Sequence, residues 1–465
     1  MGKISRTAAA AVATLGAALL ALPVAAAGQS APPPPTVDEA YACRSDMFAA
    51  VDGQTPGGSH VAGITEAANG DLLFTFNGHW VEGPYAETKW GDAPVTRVFL
   101  SRLEPGERTW TAPARVDYPR PFQIHNAVLA GDGEGRLLQF FTVLEGMDHT
   151  QSTLEVSTSA DHGRTWSAPT MVREQWGWMF GTRPLHMSNG ELLVPVYRET
   201  SPNGAGFLVS SDGFDTWEVH PEQEQSWPGQ PLAIMASTVE LEDGHLLAFM
   251  RSNGGRILQT HSFDYGRTWT PAVPTQLESP WARVALLKLD SGNLVVAHNP
   301  HYSNRAPLQL AMSEDGGLTW PHTVLVETDP DNRFDYPYLE QSSDGFIHVG
   351  YTHNNKSNMR HAVVTEEFIR SGPEIPTDVS FGRTEVRDGE VARVDACAYV
   401  NGGSVTAASA PGPGPGDEAT QPSAPGDDGS SALPSALPST GGGAALVGLL
   451  LVGLGAAVVI ARRRP

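Results

Sequence analysis

A short unit recurs six times along this chain at intervals of about fifty residues, and that periodicity constrains the fold more than any other feature. The copies are Asn69-Gly70-Asp71-Leu72-Leu73, Glu134-Gly135-Arg136-Leu137-Leu138, Asn189-Gly190-Glu191-Leu192-Leu193, Asp243-Gly244-His245-Leu246-Leu247, Ser291-Gly292-Asn293-Leu294-Val295 and Asp344-Gly345-Phe346-Ile347-His348. Their glycines lie 65, 55, 54, 48 and 53 residues apart. Each copy reads as a tight hairpin turn, with glycine supplying positive φ, that feeds a buried strand.

A second pattern interleaves with the first. It reads Ser-x-Asp-x-Gly-x-Thr-Trp at Ser159 to Trp166, Ser262 to Trp269 and Ser313 to Trp320, with a degenerate copy from Ser210 to Trp217 and a weaker one ending at Thr109-Trp110. The four later tryptophans are 51, 52 and 51 residues apart. In such a turn Asp and Ser or Thr bond the backbone, Gly permits positive φ, and Trp plugs the hairpin against its sheet. These residues are structural, and none is assigned to catalysis. A repeat of this length suits a four-stranded blade, so six units predict an all-β, six-bladed β-propeller with almost no helix. A sandwich gives no reason for the even spacing.

The two ends of the chain read differently. Residues 1–27 form an expected signal peptide: Lys3 and Arg6 precede an apolar run from Ala8 to Leu22, and Ala25-Ala26-Ala27 offers a cleavage site. The propeller is expected over 40–400. Residues 401–436 are rich in Pro, Gly and Ser and predict a disordered, wall-spanning stalk, because such a composition cannot bury enough apolar surface to offset chain entropy. Over 437–465, Leu437-Pro438-Ser439-Thr440-Gly441 precedes an apolar stretch from Gly442 to Ile460 and then Arg462-Arg463-Arg464. This segment resembles an LPXTG sortase sorting signal with an apolar transmembrane helix. The resemblance implies cleavage between Thr440 and Gly441, sortase and peptidoglycan as partners, and a secreted protein anchored to a Gram-positive cell wall. A plain membrane anchor is the competing reading, and it would not require the pentapeptide.

The formal net charge of −22 argues against a nucleic-acid partner and leaves any anionic ligand to be met by local arginines. The two cysteines, Cys43 and Cys397, are expected to pair as a disulfide, since an exported pair in an oxidising compartment most often does. No cofactor and no metal are implied.

The turn pattern is the Asp-box, and with it the chain resembles the sialidase superfamily over about 58–364. Sialidases hold a sugar carboxylate with three arginines, use a Tyr nucleophile paired with a Glu, and place an acidic proton donor on an early loop; they are the Tyr-nucleophile exception among glycosidases. The resemblance puts Arg251 at the second arginine, Arg305 at the third and Tyr336 at the nucleophile. Planar guanidinium forks suit a carboxylate. Ion pairs between blades and packing of a ring in a strand are the plainer readings. Two positions depart from the pattern. Ser59-His60-Val61 stands where the first arginine is expected, and Met235 where the Glu is expected. A phenol without a neighbouring base is a poor nucleophile. His60 can act as acid or base, although a lone His is often a packing residue. His125 enters the second blade at a comparable place and is a second candidate for substrate binding. Glu82 is chosen as proton donor over Glu87 and Asp92 on the loop from Asn77 to Asp92.

Three functions follow. The first is a sialidase-like exo-glycosidase acting on a terminal acidic sugar of a glycan. The second is a uronate-glycan lyase in which His60 or Tyr336 removes the α-proton. The third is a glycan-binding surface protein that has lost catalysis, in keeping with Met235. Under the first, His60, Arg251, Arg305 and Tyr336 from blades one, four, five and six should converge near the axis, because innermost strands line the channel.

Overall fold

The computed structural model describes residues 38, 42–47, 57–79, 96–107, 110–120, 122–132, 134–145, 149–198, 204–225, 232–353, 358–371, 384–387 and 390–393. Six antiparallel sheets account for almost all of the strands. Strand β1 is Ala42–Asp46. Blade 1 holds β2 (Gly57–Glu66), β3 (Leu72–His79), β4 (Thr96–Leu103) and β5 (Ala114–Arg115). Blade 2 holds β6 (Gln123–Gly131), β7 (Leu137–Leu144), β8 (Ser152–Ser159) and β9 (Thr170–Arg173). In blade 3 a broken inner strand, β10 (Met179–Phe180) and β11 (Leu185–His186), pairs with β12 (Leu192–Arg198), followed by β13 (Gly204–Ser210) and β14 (Glu218–Gln225).

Blade 4 runs β15 (Ala233–Glu242), β16 (His245–Ser252), β17 (Arg256–Ser262) and β18 (Val273–Glu278). Blade 5 runs β19 (Ala285–Lys288), β20 (Leu294–His298), β21 (Leu308–Ser313) and β22 (His322–Glu327). Blade 6 takes only three strands from its own stretch of chain, β23 (Asp335–Gln341), β24 (Ile347–His353) and β25 (Asn358–Val364). Its fourth, outermost strand is β1, which pairs antiparallel with β25 from Ala42↔Val364 to Asp46↔Arg360. The N-terminal strand therefore closes the ring. Among the described residues one α-helix, α1 (Glu366–Ser371), follows, and a separate hairpin pairs β26 (Thr384–Arg387) with β27 (Glu390–Arg393).

Both sequence repeats become turns of the expected kind. All six hairpin glycines, Gly70, Gly135, Gly190, Gly244, Gly292 and Gly345, have φ between 74° and 97°. In the second pattern the Ser and Asp side chains bind the turn itself. Ser313 Oγ accepts from Gly317 N at 2.8 Å, and Asp315 accepts from Thr319 N at 2.9 Å and from its hydroxyl at 2.6 Å. In the degenerate copy Phe214 takes the glycine position at φ 78°, and Ser210 Oγ still accepts its amide at 3.1 Å.

Blades pack through buried aliphatic and aromatic side chains, and two polar assemblies are buried among them. Arg44 of β1 donates to Glu327 at 2.8 Å and to the Val326 carbonyl at 2.7 Å, tying the closing strand to blade 5. Glu327 also accepts from Tyr351 at 2.7 Å and Arg360 at 2.5 Å. Cys43, also on β1, is buried and disulfide-bonded, while Cys397 lies outside the described residues. In blade 6, His348 Nδ1 and His361 Nε2 are 2.9 Å apart in a stacked pair, and Trp110 of blade 1 meets His361 edge-on at 5.2 Å.

Burial holds these imidazoles neutral: His361 is pushed down to about 3, His348 well below its ordinary value, and His298 of blade 5 down to about 4. A histidine whose folded pKa lies below its unfolded value contributes stability above about pH 6.5 that is lost as pH falls. Denaturant midpoints measured from pH 8 to pH 4 should therefore fall steadily below about pH 6.5. His361→Phe should cost about 1 kcal/mol at pH 8, through the lost imidazole hydrogen bond, and should flatten that acid limb.

Candidate active site

The inner strands do not run straight into the channel. In blades 1, 2, 4 and 6 the pairing skips at the same place, after His60, His125, Ile234 and Asp335, leaving two residues out of register. The first residue of each bulge is left-handed: Val61 (φ 61°), Asn126 (φ 50°), Met235 (φ 55°) and Tyr336 (φ 51°). Trp281, just ahead of β19 in blade 5, joins them at φ 51°. None is a glycine, so each stores strain of about 1–3 kcal/mol that its surroundings must offset.

What holds the bulges is a set of side chains that catch the freed carbonyls. Thr75 Oγ1 donates to Ala127 O at 3.0 Å, and Thr182 Oγ1 donates to Ala236 O. Arg305 donates to Trp281 O at 2.7 Å. Arg283 does the most. It enters from blade 5, only 1% exposed, and donates to Gly181 O at 2.7 Å, Ala62 O at 2.6 Å, Tyr336 O at 2.9 Å and Pro337 O at 3.2 Å. Burial pushes its pKa down to about 10, which still leaves it charged at neutral pH.

Tyr336 is the meeting point. Arg251 Nη1 donates to its phenol oxygen at 3.0 Å, and the same guanidinium lies 4.3 Å from the Trp281 ring centroid. His60 meets the Tyr336 ring edge-on, with centroids 4.2 Å apart, and its Nδ1 is 3.1 Å from Thr352 Oγ1. The Arg305 guanidinium lies 5.8 Å from the same ring and is held by Asp335 at 2.7 Å. Asp335 is fully buried and also accepts from Arg333 at 2.5 Å. Met235, buried, packs in one apolar cluster with Tyr336 and Trp281.

Four of the residues expected from sequence thus come together, and the route differs from the expected one. His60 and Tyr336 lie on inner strands, one register position apart. Arg251 ends the second strand of blade 4, and Arg305 lies on the loop between β20 and β21. Long guanidinium stems bridge that difference. His125 shares the register position of His60, and within blade 2 it lies 3.3 Å from Gln123 and 6.5 Å, between centroids, from His149. Its neighbour Asn126 bridges blades, joining Asn77 at 2.8 Å to Tyr197 at 3.1 Å. Glu82, Glu87, Asp92, Thr440 and Gly441 lie outside the described residues.

Sequence reasoning missed Trp281, Arg283, Arg333 and Asp335. Trp281 and Arg283 carried one usable signal: Ser279-Pro280-Trp281-Ala282-Arg283 falls just before the fifth inner strand, where the other blades carry their bulge residues.

The six sheets with this inner ring define a repeat-bladed, six-bladed β-propeller. The chain belongs to the BNR repeat-like domain family, whose model it matches over residues 85–349. It is 27% identical over 259 residues to a sialidase of Bacteroides fragilis (strain YCH46), a match covering 51% of this chain and 46% of that protein. It is 26% identical over 180 residues to the anhydrosialidase of Macrobdella decora, covering 35% of this chain and 23% of that protein. The chain therefore spans less than half the length of these relatives. Among solved structures, a Hadza microbial sialidase superposes with a TM-score of 0.60 at 20% identity, covering 69% of this chain and 68% of that one.

If Arg283 fixes the bulges, Arg283→Lys should lose at least one of the four carbonyl bonds. The expected cost is about 1–3 kcal/mol in urea denaturation at neutral pH.

Proposed function

We propose that this protein is a sialidase-like exo-glycosidase that acts on a terminal acidic sugar of a glycan, with Tyr336 as the nucleophile. The observation that carries the proposal is the arrangement of Arg251, Arg305 and His60 around one phenol. Arg251 and Arg305 supply guanidinium forks for the sugar carboxylate, and each guanidinium carries five N–H donors. The phenol oxygen attacks the anomeric carbon as its proton passes to His60, and the bond to the leaving oxygen breaks as Glu82 protonates it. Water then releases the sugar from Tyr336 by the reverse path, with Glu82 taking the water proton and His60 returning its own.

His60 takes over here the base role that a carboxylate at position 235 would serve. The apolar packing of Met235 against Tyr336 favours a second reading, a glycan-binding protein without turnover. One experiment separates them. Incubation with 2,3-difluorosialic acid should add one sugar mass to the protein and place it on Tyr336, and Tyr336→Phe should abolish the adduct. Binding of a sialoside without adduct or product would support the second reading. Arg251→Lys should weaken sialoside binding about tenfold, because the ammonium keeps the charge and loses the fork.

We further propose that the protein is exported and held on the cell wall through Leu437-Pro438-Ser439-Thr440-Gly441. Thr440→Ala should leave export intact and move the protein from the peptidoglycan fraction to the membrane fraction. Retention with peptidoglycan after detergent extraction would overturn the assignment.

A further inference from the structure

The outer seam between blades 1 and 2 contains a groove of about 590 Å³, far from a sealed packing defect in size. Gln139, from the middle of blade 2, lies at its floor, and Phe141, Trp166, Ser157 and Thr165 line it. The same seam between blades 4 and 5 holds a smaller groove of about 220 Å³ lined by Trp320. Gln139 sets the first groove apart. The residue is fully buried, and among the described residues neither its amide oxygen nor its amide nitrogen has a hydrogen-bond partner.

Register shows how unusual that is within the ring. Strands β7, β12, β16 and β20 each pair a first residue with an Asp-box serine: Leu137↔Ser159, Leu192↔Ser210, Leu246↔Ser262 and Leu294↔Ser313. Two residues on, three of the four blades carry Val194, Ala248 and Val296, all buried and apolar. Blade 2 carries an amide at that place, at a desolvation cost of about 1–3 kcal/mol for the unpaired group. Valine there would pack the seam without that cost, so the amide calls for a partner that enters the groove.

We infer that this groove is a binding site for an uncharged sugar unit, separate from the channel site, with Gln139 bonding its hydroxyls. A primary amide offers an acceptor and two donors, which matches a pair of vicinal hydroxyls. The half-buried Trp166 ring offers a flat apolar face for the C–H side of a pyranose. The charges at the mouth are already matched: Arg164 pairs with Glu104 at 3.0 Å and Asp71 at 3.4 Å, and Arg115 pairs with Asp117 at 3.4 Å. Among the described residues the groove therefore presents no surplus cation, and the inferred ligand is neutral rather than acidic. Entry moves the mouth side chains Asp117, Arg115 and Arg164, all of them exposed. This site stands or falls independently of the reaction proposed for Tyr336.

The test titrates the intact protein with N-acetyllactosamine by saturation-transfer NMR, alongside Gln139→Val. Saturable binding by the native protein, weakened about tenfold or more in Gln139→Val, is expected. Gln139→Val should be at least as heat-stable as the native protein and should turn over a soluble sialoside at the native rate. A crystal soaked with the same disaccharide, which needs no variant, should hold it between Trp166 and Gln139. Failure to saturate at tens of millimolar, equal affinity in Gln139→Val, or density for the sugar elsewhere only would each overturn the inference.

Discussion

One guanidinium at the propeller axis sets the geometry on which the channel depends. Arg283 starts from blade 5 and ends on carbonyls of blades 1, 3 and 6. A buried cation is costly, and four short bonds to backbone oxygens are what offset that cost. The bulged inner strands need the same bonds, since each bulge takes carbonyls out of the sheet ladder. Strain in the strands and desolvation of the arginine are thus relieved by one set of contacts. Removing either partner would leave the other uncompensated.

The left-handed residues gain direction from this arrangement. A bulge re-aims a side chain that regular alternation would bury between blades, and in blade 6 that side chain is Tyr336. Trp281 in blade 5 occupies the matching place and lies under Arg251. Asp335 holds Arg305 in turn, with Arg333 on its other oxygen. The cationic side chains around Tyr336 are therefore fixed by neighbours before any ligand arrives, which lowers the entropy of ordering them. In a chain of net charge −22 such a cluster stands out as a local positive field.

The architecture was legible because turns repeat in sequence when blades repeat in space. Glycines at positive φ and the Ser-Asp-Gly-Trp turns are local features, and local chemistry survives in a linear reading. His60, Arg251, Arg305 and Tyr336 could be found because they stand at, or in place of, the site positions that the sialidase resemblance marks out along the repeats. Arg283 and Trp281 could not be read so easily, because their partners are backbone carbonyls and rings brought near only by the fold. Gln139 hid for the opposite reason: it sits within an ordinary strand and is unusual only beside Val194, Ala248 and Val296. The closing strand β1 gave no repeat signal at all, since it lacks a turn of either kind.

That closing strand bears on when the ring can form. Ala42 finds its partner in Val364, so the first described strand joins the last blade. Until β25 exists, β1 has no ladder to enter, and blades 1 to 5 can assemble only as an open arc. Loop closure across so much chain is paid late, and topologies dominated by such distant contacts fold slowly. The Arg44 side chain, bound to Glu327 of blade 5, adds a charge lock that also engages only at that final step. Until β25 pairs with β1, each of these two strands presents an unpaired edge, and these are the surfaces most open to pairing with another chain.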